Sequence, residues 1–345
     1  MAKPAWPYLI ALALGSVGGA LFFWIGTPLP WMMGAMCATT VAALVRVPIK
    51  ASKGLRNGFI VVLGVLLGST FTPAMLDVIG QWSLSLAAMA VYVAVVGLGL
   101  CFLMLRITRY DRPTSYFSAA PGGLSEMIIV GGAMGGNERV ISLVHSARVL
   151  FVVFSLPFFF SYSSDSSLAA VAGGGEGGLA WADFGLLLAA GVAGAVVFGL
   201  LRVPAAQLIG PMLFSAAIHL LGWTDAKPPP ELVAVAQVVI GSTIGSRFAG
   251  IRWREILQPV GIALVLTVIM IAVSAGFALA LQPLVDAPFD ALWLAFSPGG
   301  LAEMSLIALA LHLDPAFVAT HHVFRILMVV ILAPLAYRLF LVRRT

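Results

Sequence analysis

The sequence predicts an all-α polytopic membrane protein: two inverted-topology repeats, about 10 transmembrane helices and two re-entrant hairpins. Three observations carry that expectation. The 345 residues are 61% hydrophobic and only 10% charged, with a mean hydropathy of +1.06, which leaves too little polar surface to cover a water-soluble globule. The chain also repeats itself at a nearly fixed interval, and its basic residues sort to one side only when the two copies are opposed in direction.

The repeat is plainest at Pro121-Gly122-Gly123-Leu124-Ser125-Glu126-Met127, which returns as Pro298-Gly299-Gly300-Leu301-Ala302-Glu303-Met304. The same shift of 177 carries His145 to His322, Arg148 to Arg325, Pro157 to Pro334, and Gly64 and Gly68 to Gly241 and Gly245. A shift of 176 carries Pro28, Gly34 and Met36 to Pro204, Gly210 and Met212, so one inserted residue accounts for the difference. Gly15, Gly18 and Phe22 recur as Gly191, Gly194 and Phe198. The apolar run after Lys3 is therefore expected to be part of the repeat rather than a cleaved leader.

Element by element, apolar spans are expected near 8–25, 31–46, 57–75, 82–105 and 139–162, with a broken segment at 115–136. The second copy gives 183–201, 205–222, 231–248, 257–281 and 316–340, with its broken segment at 291–312. This divides the chain into a membrane repeat at 1–162, a Ser-, Gly- and Ala-rich linker at 163–180, and a second repeat at 181–345. The pairs Gly64/Gly68 and Gly241/Gly245 are small-xxx-small patterns that predict close helix packing. Cys37 and Cys101 lie within apolar runs and support neither a disulfide framework nor a metal site.

Charge decides the direction of the copies. If each broken segment enters and returns on one side, each half crosses five times and the second copy is upside down. One face then receives Lys3, the Arg46–Arg56 and Arg106–Arg112 clusters, Arg139, Arg202, the Arg247–Arg254 cluster, Arg338, Arg343 and Arg344. Only Lys227 falls opposite, with Arg148 and Arg325 embedded. The basic side is cytoplasmic, which places both termini there. The net charge of +5 is spread over short loops without interleaved aromatics, so no direct nucleic-acid partner is expected.

Pro-Gly-Gly breaks a helix, and the backbone groups it frees are tolerable at membrane depth only inside protein or beside a wet cavity. Gly122, Gly123, Gly299 and Gly300 are therefore candidate binding residues. Glu126 and Glu303 follow three residues on, where a carboxylate costs about 2.5–3.5 kcal/mol even on insertion scales. They read either as caps on new half-helices or as proton or cation sites. His145 with Arg148, and His322 with Arg325, are spaced i, i+3 and share a helix face. The arginines read either as buried partners of Glu126 and Glu303, or as receptors for a carboxylate or similar anion with His and Glu carrying protons. A metal is not expected, because Glu and His are 19 residues apart in each half and Arg would repel a cation. His321 lacks a counterpart, since Val144 stands in its place.

Gly-x-Pro-Leu-Pro-Trp-Met-x-Gly at Gly26 to Gly34, together with the Pro-Gly-Gly-Leu-x-Glu-Met repeat, resembles the AbrB family of duplicated bacterial inner-membrane proteins, over essentially the whole chain. Members carry names that refer to transcriptional regulation or to ammonia monooxygenase, and the resemblance implies a link to gene expression. Five histidines, two of them matched with arginines, do not make a clustered copper-ligand set, so no enzyme and no cofactor are expected. In layout the chain is also similar to secondary transporters with paired glycine-rich re-entrant hairpins. The expected function is binding or transport of a small anionic or zwitterionic solute, with proton coupling. The alternative is a membrane-embedded sensor that acts on gene expression through a partner. The bilayer and a small solute are the expected partners, and a homodimer is left open.

Overall fold

A computed structural model of the protein describes residues 5–163 and 180–341; the interior of the linker, Lys3, Arg343 and Arg344 lie outside the described residues. Among the described residues the fold is helical, without strands. The first half contributes α1 (Trp6–Ile25), α2 (Pro30–Leu44), α3 (Lys53–Gly68), α4 (Ser83–Ile107), α5 (Arg112–Ala119), α6 (Leu124–Ala133) and α7 (Glu138–Ser163). The second contributes α8 (Trp181–Leu200), α9 (Ala206–Leu220), α10 (Pro230–Gly245), α11 (Trp253–Leu281), α12 (Phe289–Phe296), α13 (Leu301–Ala310) and α14 (Pro315–Ala336).

Among the described residues six helices are long and apolar enough to cross a membrane: α1, α4, α7, α8, α11 and α14. The other four expected spans form helices of 15 or 16 residues, short of the about 20 needed for hydrocarbon about 30 Å thick. Their length is set locally. Pro30 and Pro230 open α2 and α10, and the Ser52 hydroxyl caps α3 by accepting the Leu55 N–H. At its other end α3 stops at Gly68, well before the expected end at 75, and the hydroxyls of Ser69 and Thr70 turn back to donate to Leu66 O and Leu67 O, both at 2.7 Å.

The helices gather into two units, and the division does not follow the repeat. One unit comprises Met1–Val78, Phe154–Trp253 and Ser305–Ala316, and so holds α1–α3 and α8–α10. Its helices meet backbone to backbone at glycines, as expected where lipid removes the hydrophobic drive and only close packing holds helices together. Gly18 lies on the Gly34 carbonyl, and one repeat later Gly194 lies on the Gly210 carbonyl. A Cβ on Gly64 would meet Leu208 O and Met212 N, and one on Gly68 would meet Met212 O and Ala216 N, so α3 and α9 run the same way. Likewise Gly241 faces Met32 O and Met36 N while Gly245 faces Met36 O and Thr40 N, so α10 and α2 run the same way. The start of α3, at Leu55, shares a cavity wall with Val239, Ser242 and Thr243 near the end of α10, so α3 runs against α10 and α2.

Four of these helices end in one backbone motif with a left-handed residue, whose N–H and the next one bond back to the last turn. In α1 the residue is Gly26 (φ 74°), with Gly26 N bonded to Phe23 O and Thr27 N to Phe22 O. In α8, 176 residues on, it is Arg202 (φ 55°). In α2 it is Arg46 (φ 65°), and in α9, again 176 residues on, it is Gly222 (φ 70°). Each copy thus carries one glycine and one arginine at equivalent turns, in exchanged order.

The second unit, Ile79–Val153, Arg254–Met304 and Phe317–Thr345, holds α4–α6, the first part of α7, α11, α12, the start of α13 and most of α14. Within it α5 and α6 form a hairpin about the Pro121-Gly122-Gly123 break. The Asp111 side chain caps α5 by accepting the Thr114 N–H at 2.7 Å. The Thr114 hydroxyl in turn accepts the Asn137 N–H at 2.8 Å, and a Cβ on Gly131 would sit 3.0 Å from Phe117 Cβ. The chain therefore leaves the hairpin beside the point where it entered. Tyr92 of α4 packs edge-on against Phe277 of α11 and Phe296 of α12, with ring centroids 5.4 and 5.5 Å away.

Candidate functional site

The two Pro-Gly-Gly breaks and the His/Arg pairs all lie in the second unit, each break gripped by its own pair. Arg148 donates to Ala120 O at 3.0 Å and to Gly122 O at 3.3 Å. His145 bonds to Phe117 O at 2.8 Å. In the second copy Arg325 donates to Ser297 O at 2.7 Å and Gly299 O at 2.6 Å, while His322 bonds to Leu294 O at 3.2 Å. Every partner is displaced by the same 177 residues. The chemistry follows from the break: Pro121 and Pro298 offer no amide to Phe117 O and Leu294 O, although Leu294 O also accepts the Ser297 N–H at 3.3 Å, and a helix end carries partial negative charge. A guanidinium satisfies two carbonyls at once, which an ammonium does not do in the same geometry.

The arginines also fix the histidines. His145 Nδ1 lies 2.7 Å from Arg148 Nη2, and His322 Nδ1 lies 2.9 Å from Arg325 Nη2. Carbonyl oxygens only accept and guanidinium nitrogens only donate. The proton of each imidazole therefore belongs on Nε2, facing Phe117 O or Leu294 O, with Nδ1 as acceptor; a second proton would set N–H against N–H. These histidines orient the arginines. His321 is held separately, by Phe317 O and Ser85 Oγ, both at 2.8 Å.

Of the two roles open to the arginines, carboxylate pairing is not the one observed. Among the described residues neither Arg148 nor Arg325 bonds a carboxylate; Arg148 adds only the Met270 thioether, at 3.9 Å. Both side chains are nonetheless buried, at 3% and 2% exposure. The Nε–H of each has no hydrogen-bond partner among the described residues, nor has the hydroxyl of fully buried Tyr92. The two guanidiniums and that hydroxyl lie within electrostatic reach of one another. Two buried cations and three donors without a hydrogen-bond partner among the described residues are thus grouped at this site.

The glutamates stand at the openings of α6 and α13. Glu126 is the third residue of α6, after Gly123 at its N-cap, and its carboxylate folds back so far that a Cβ on Gly123 would collide with it. Glu303 does the same over Gly300. That is the reach of a first-turn acid toward free amides. None of the four glycines has a positive φ, so space rather than dihedral freedom selects them. At Gly122 a Cβ would sit 2.8 Å from Val329 Cγ1 and 2.9 Å from Met127 Sδ, and at Gly299 it would sit 2.6 Å from Met304 Cε. Among the described residues no three His, Cys, Asp or Glu side chains gather into a metal-binding group. Tyr92 escaped the sequence reading because the repeat gives it no partner: Ile269 stands at the equivalent position.

Broken helices clamped by buried arginines, among helices apolar enough to span, define a polytopic helical protein of the membrane type. The chain belongs to the AbrB family: the family model described as the transition state regulatory protein AbrB matches residues 31–341. It is similar to YhjN of Bacillus subtilis (strain 168), an uncharacterized protein, with 28% identity over 95% of this chain and 91% of that one. It is also similar to a protein of Escherichia coli (strain K12) whose name calls it a regulator, AbrB, with 25% identity over 95% of this chain and 94% of the relative.

Proposed function

We propose that the protein is a secondary-transporter-like carrier of the bacterial inner membrane, which binds and moves a small anionic or zwitterionic solute between its two broken hairpins. The observation that carries this reading is the pair of buried guanidiniums, Arg148 and Arg325, within electrostatic reach of each other and, among the described residues, hydrogen-bonded only to neutral groups. The solute's negative group meets the arginines and Tyr92. Glu126 and Glu303 are the proton carriers, since the hydrogen bonds of His145 and His322 leave no place for a second proton.

An inverted repeat of ten crossings and two re-entrant hairpins is supported by helix direction. With α3 parallel to α9 and antiparallel to α2, α2 runs opposite to α9, its own counterpart. The joined ends of the α5–α6 hairpin favour entry and return on one face. Orientation rests on charge: on the positive-inside reading the Arg46 and Arg202 turns lie on the cytoplasmic side with both termini, and the Gly26 and Gly222 turns on the other.

A second reading, a membrane-embedded sensor that acts on gene expression through a partner, is favoured by the names of the family model and of the Escherichia coli relative. Neither reading involves an enzymatic step. Uptake of labelled carboxylates and amino acids into proteoliposomes, with and without a pH gradient, separates the two. Transport predicts accumulation of an anionic member that Arg325→Lys and Tyr92→Phe reduce at least ten-fold. Saturable ligand binding without uptake across the whole panel would overturn it in favour of the sensor.

A further inference from the structure

A cavity of about 640 Å³ opens in the first unit, within the range of about 300–1,000 Å³ typical of small-ligand pockets, and no residue of the arginine centre lines it. Three cations line it, Arg46 and Lys50 from the α2–α3 connection and Arg252 from the residues before α11, and none of the lining residues is acidic. The hydroxyl oxygen of Ser246, buried and without a hydrogen-bond partner among the described residues, belongs to the same wall. Sequence alone does not join these groups, because about two hundred residues separate the two segments. The parallel course of α2 and α10 brings their ends together.

Arg46 is costly to place there. It holds φ 65°, a left-handed conformation unfavourable for any residue with a Cβ, whereas the equivalent turn of the second copy uses Gly222 at φ 70°. Arg202 bears the same strain but stands outside the cavity. Two exposed tryptophans flank the lining in sequence: Trp6 beside Tyr8 and Trp253 beside Arg252, at 48% and 51% exposure. Exposed tryptophans of this kind favour the level of lipid headgroups.

We propose that this cavity binds a phosphate-bearing anion, either the headgroup phosphate of an anionic lipid or a soluble phosphate ester. Arg46, Lys50 and Arg252 neutralise the phosphate, the Ser246 hydroxyl donates to it, and the apolar wall of Tyr8 and Ile251 faces its carbon skeleton. The site is independent of transport at the arginine centre.

The test uses the full chain purified in zwitterionic detergent, with thermal unfolding followed as phosphatidylglycerol, phosphatidylcholine or glycerol 3-phosphate is titrated. Phosphatidylglycerol should raise the unfolding temperature saturably and phosphatidylcholine should not. A matching response to glycerol 3-phosphate assigns a soluble ester, and its absence assigns the lipid. Arg46→Gly should weaken the response at least ten-fold while leaving the ligand-free unfolding temperature unchanged or higher, because glycine suits the turn. Lys50→Gln and Arg252→Gln should weaken it likewise. Arg202→Gly, which relieves the same strain outside the cavity, should bind as the wild type does. Equal loss in Arg202→Gly, undiminished binding in the three cavity variants, or no response to either phosphate compound would overturn the proposal.

Discussion

His145 accepts a hydrogen bond from Arg148 at 2.7 Å, and through it the guanidinium is aimed at two carbonyls of a broken helix. A charge that insertion energetics would expel is thereby retained by three neutral acceptors. Because the same contacts recur around His322 and Arg325, the clamp can be tested twice in one molecule.

Arg148→Lys should lose one of the two carbonyls and the histidine contact together, destabilising the protein by roughly 2–3 kcal/mol. Arg325→Lys should cost about the same. Thermal unfolding in detergent measures both, and an unchanged midpoint in either would show that the clamp does not hold the break.

Glycine substitutions should separate by what their new methyl group meets. At Gly18 it meets the Gly34 carbonyl, a backbone group that cannot swing aside, so Gly18→Ala should cost about 1–3 kcal/mol, as should its counterpart Gly194→Ala. At Gly54 it meets nothing within 4 Å, and Gly54→Ala should stabilise α3 by roughly 0.5–1 kcal/mol. Chemical or thermal unfolding of the three variants gives the ranking.

Gly123→Ala should behave differently again. The colliding atom is the tip of the flexible Glu126 side chain, so the carboxylate can move and stability should fall by less than about 1 kcal/mol. With the carboxylate displaced from the opening of α6, the effect of a pH gradient on solute uptake should be lost. Gradient-driven uptake equal to wild type would remove Glu126 from the coupling role.

Thr114→Val removes the acceptor for the Asn137 N–H and should cost about 1 kcal/mol. Hydrogen exchange should quicken at 131–137, where the hairpin closes, with little change in α4. Uniformly unchanged protection would mean that the α5–α6 hairpin is held elsewhere.

Single cysteines on a background lacking Cys37 and Cys101 should report the orientation. Lys50→Cys and Arg252→Cys share one cavity and should label together from the cytoplasmic side, with Val78→Cys and Lys227→Cys labelling from the other. Opposite labelling of positions 50 and 252 is incompatible with the inverted arrangement.

The repeat and its break were legible in the sequence because glycine, proline and charge at membrane depth have few alternative explanations. The partners of the charges were not. Sequence displays Glu126 and Arg148 as opposite charges and hides the carbonyls of Ala120 and Gly122, which exist as acceptors only because α5 stops. Tyr92 was hidden for a different reason, having no echo in the second copy. The packing of Gly64 and Gly241 was readable as close approach, but their partners on α9 and α2 belong to the opposite copy, and no local pattern names them.

The exchanged caps bear on how the duplicated chain came to insert. Two copies of one sequence would enter the bilayer with the same preference, yet the proposed arrangement needs opposite ones. The Gly26/Arg202 and Arg46/Gly222 turns keep one backbone shape while exchanging which turn is charged, so in that arrangement the instruction to translocate or to stay would be rewritten without redesigning a helix. Exchanging those four residues would ask the insertion machinery to read the chain backwards.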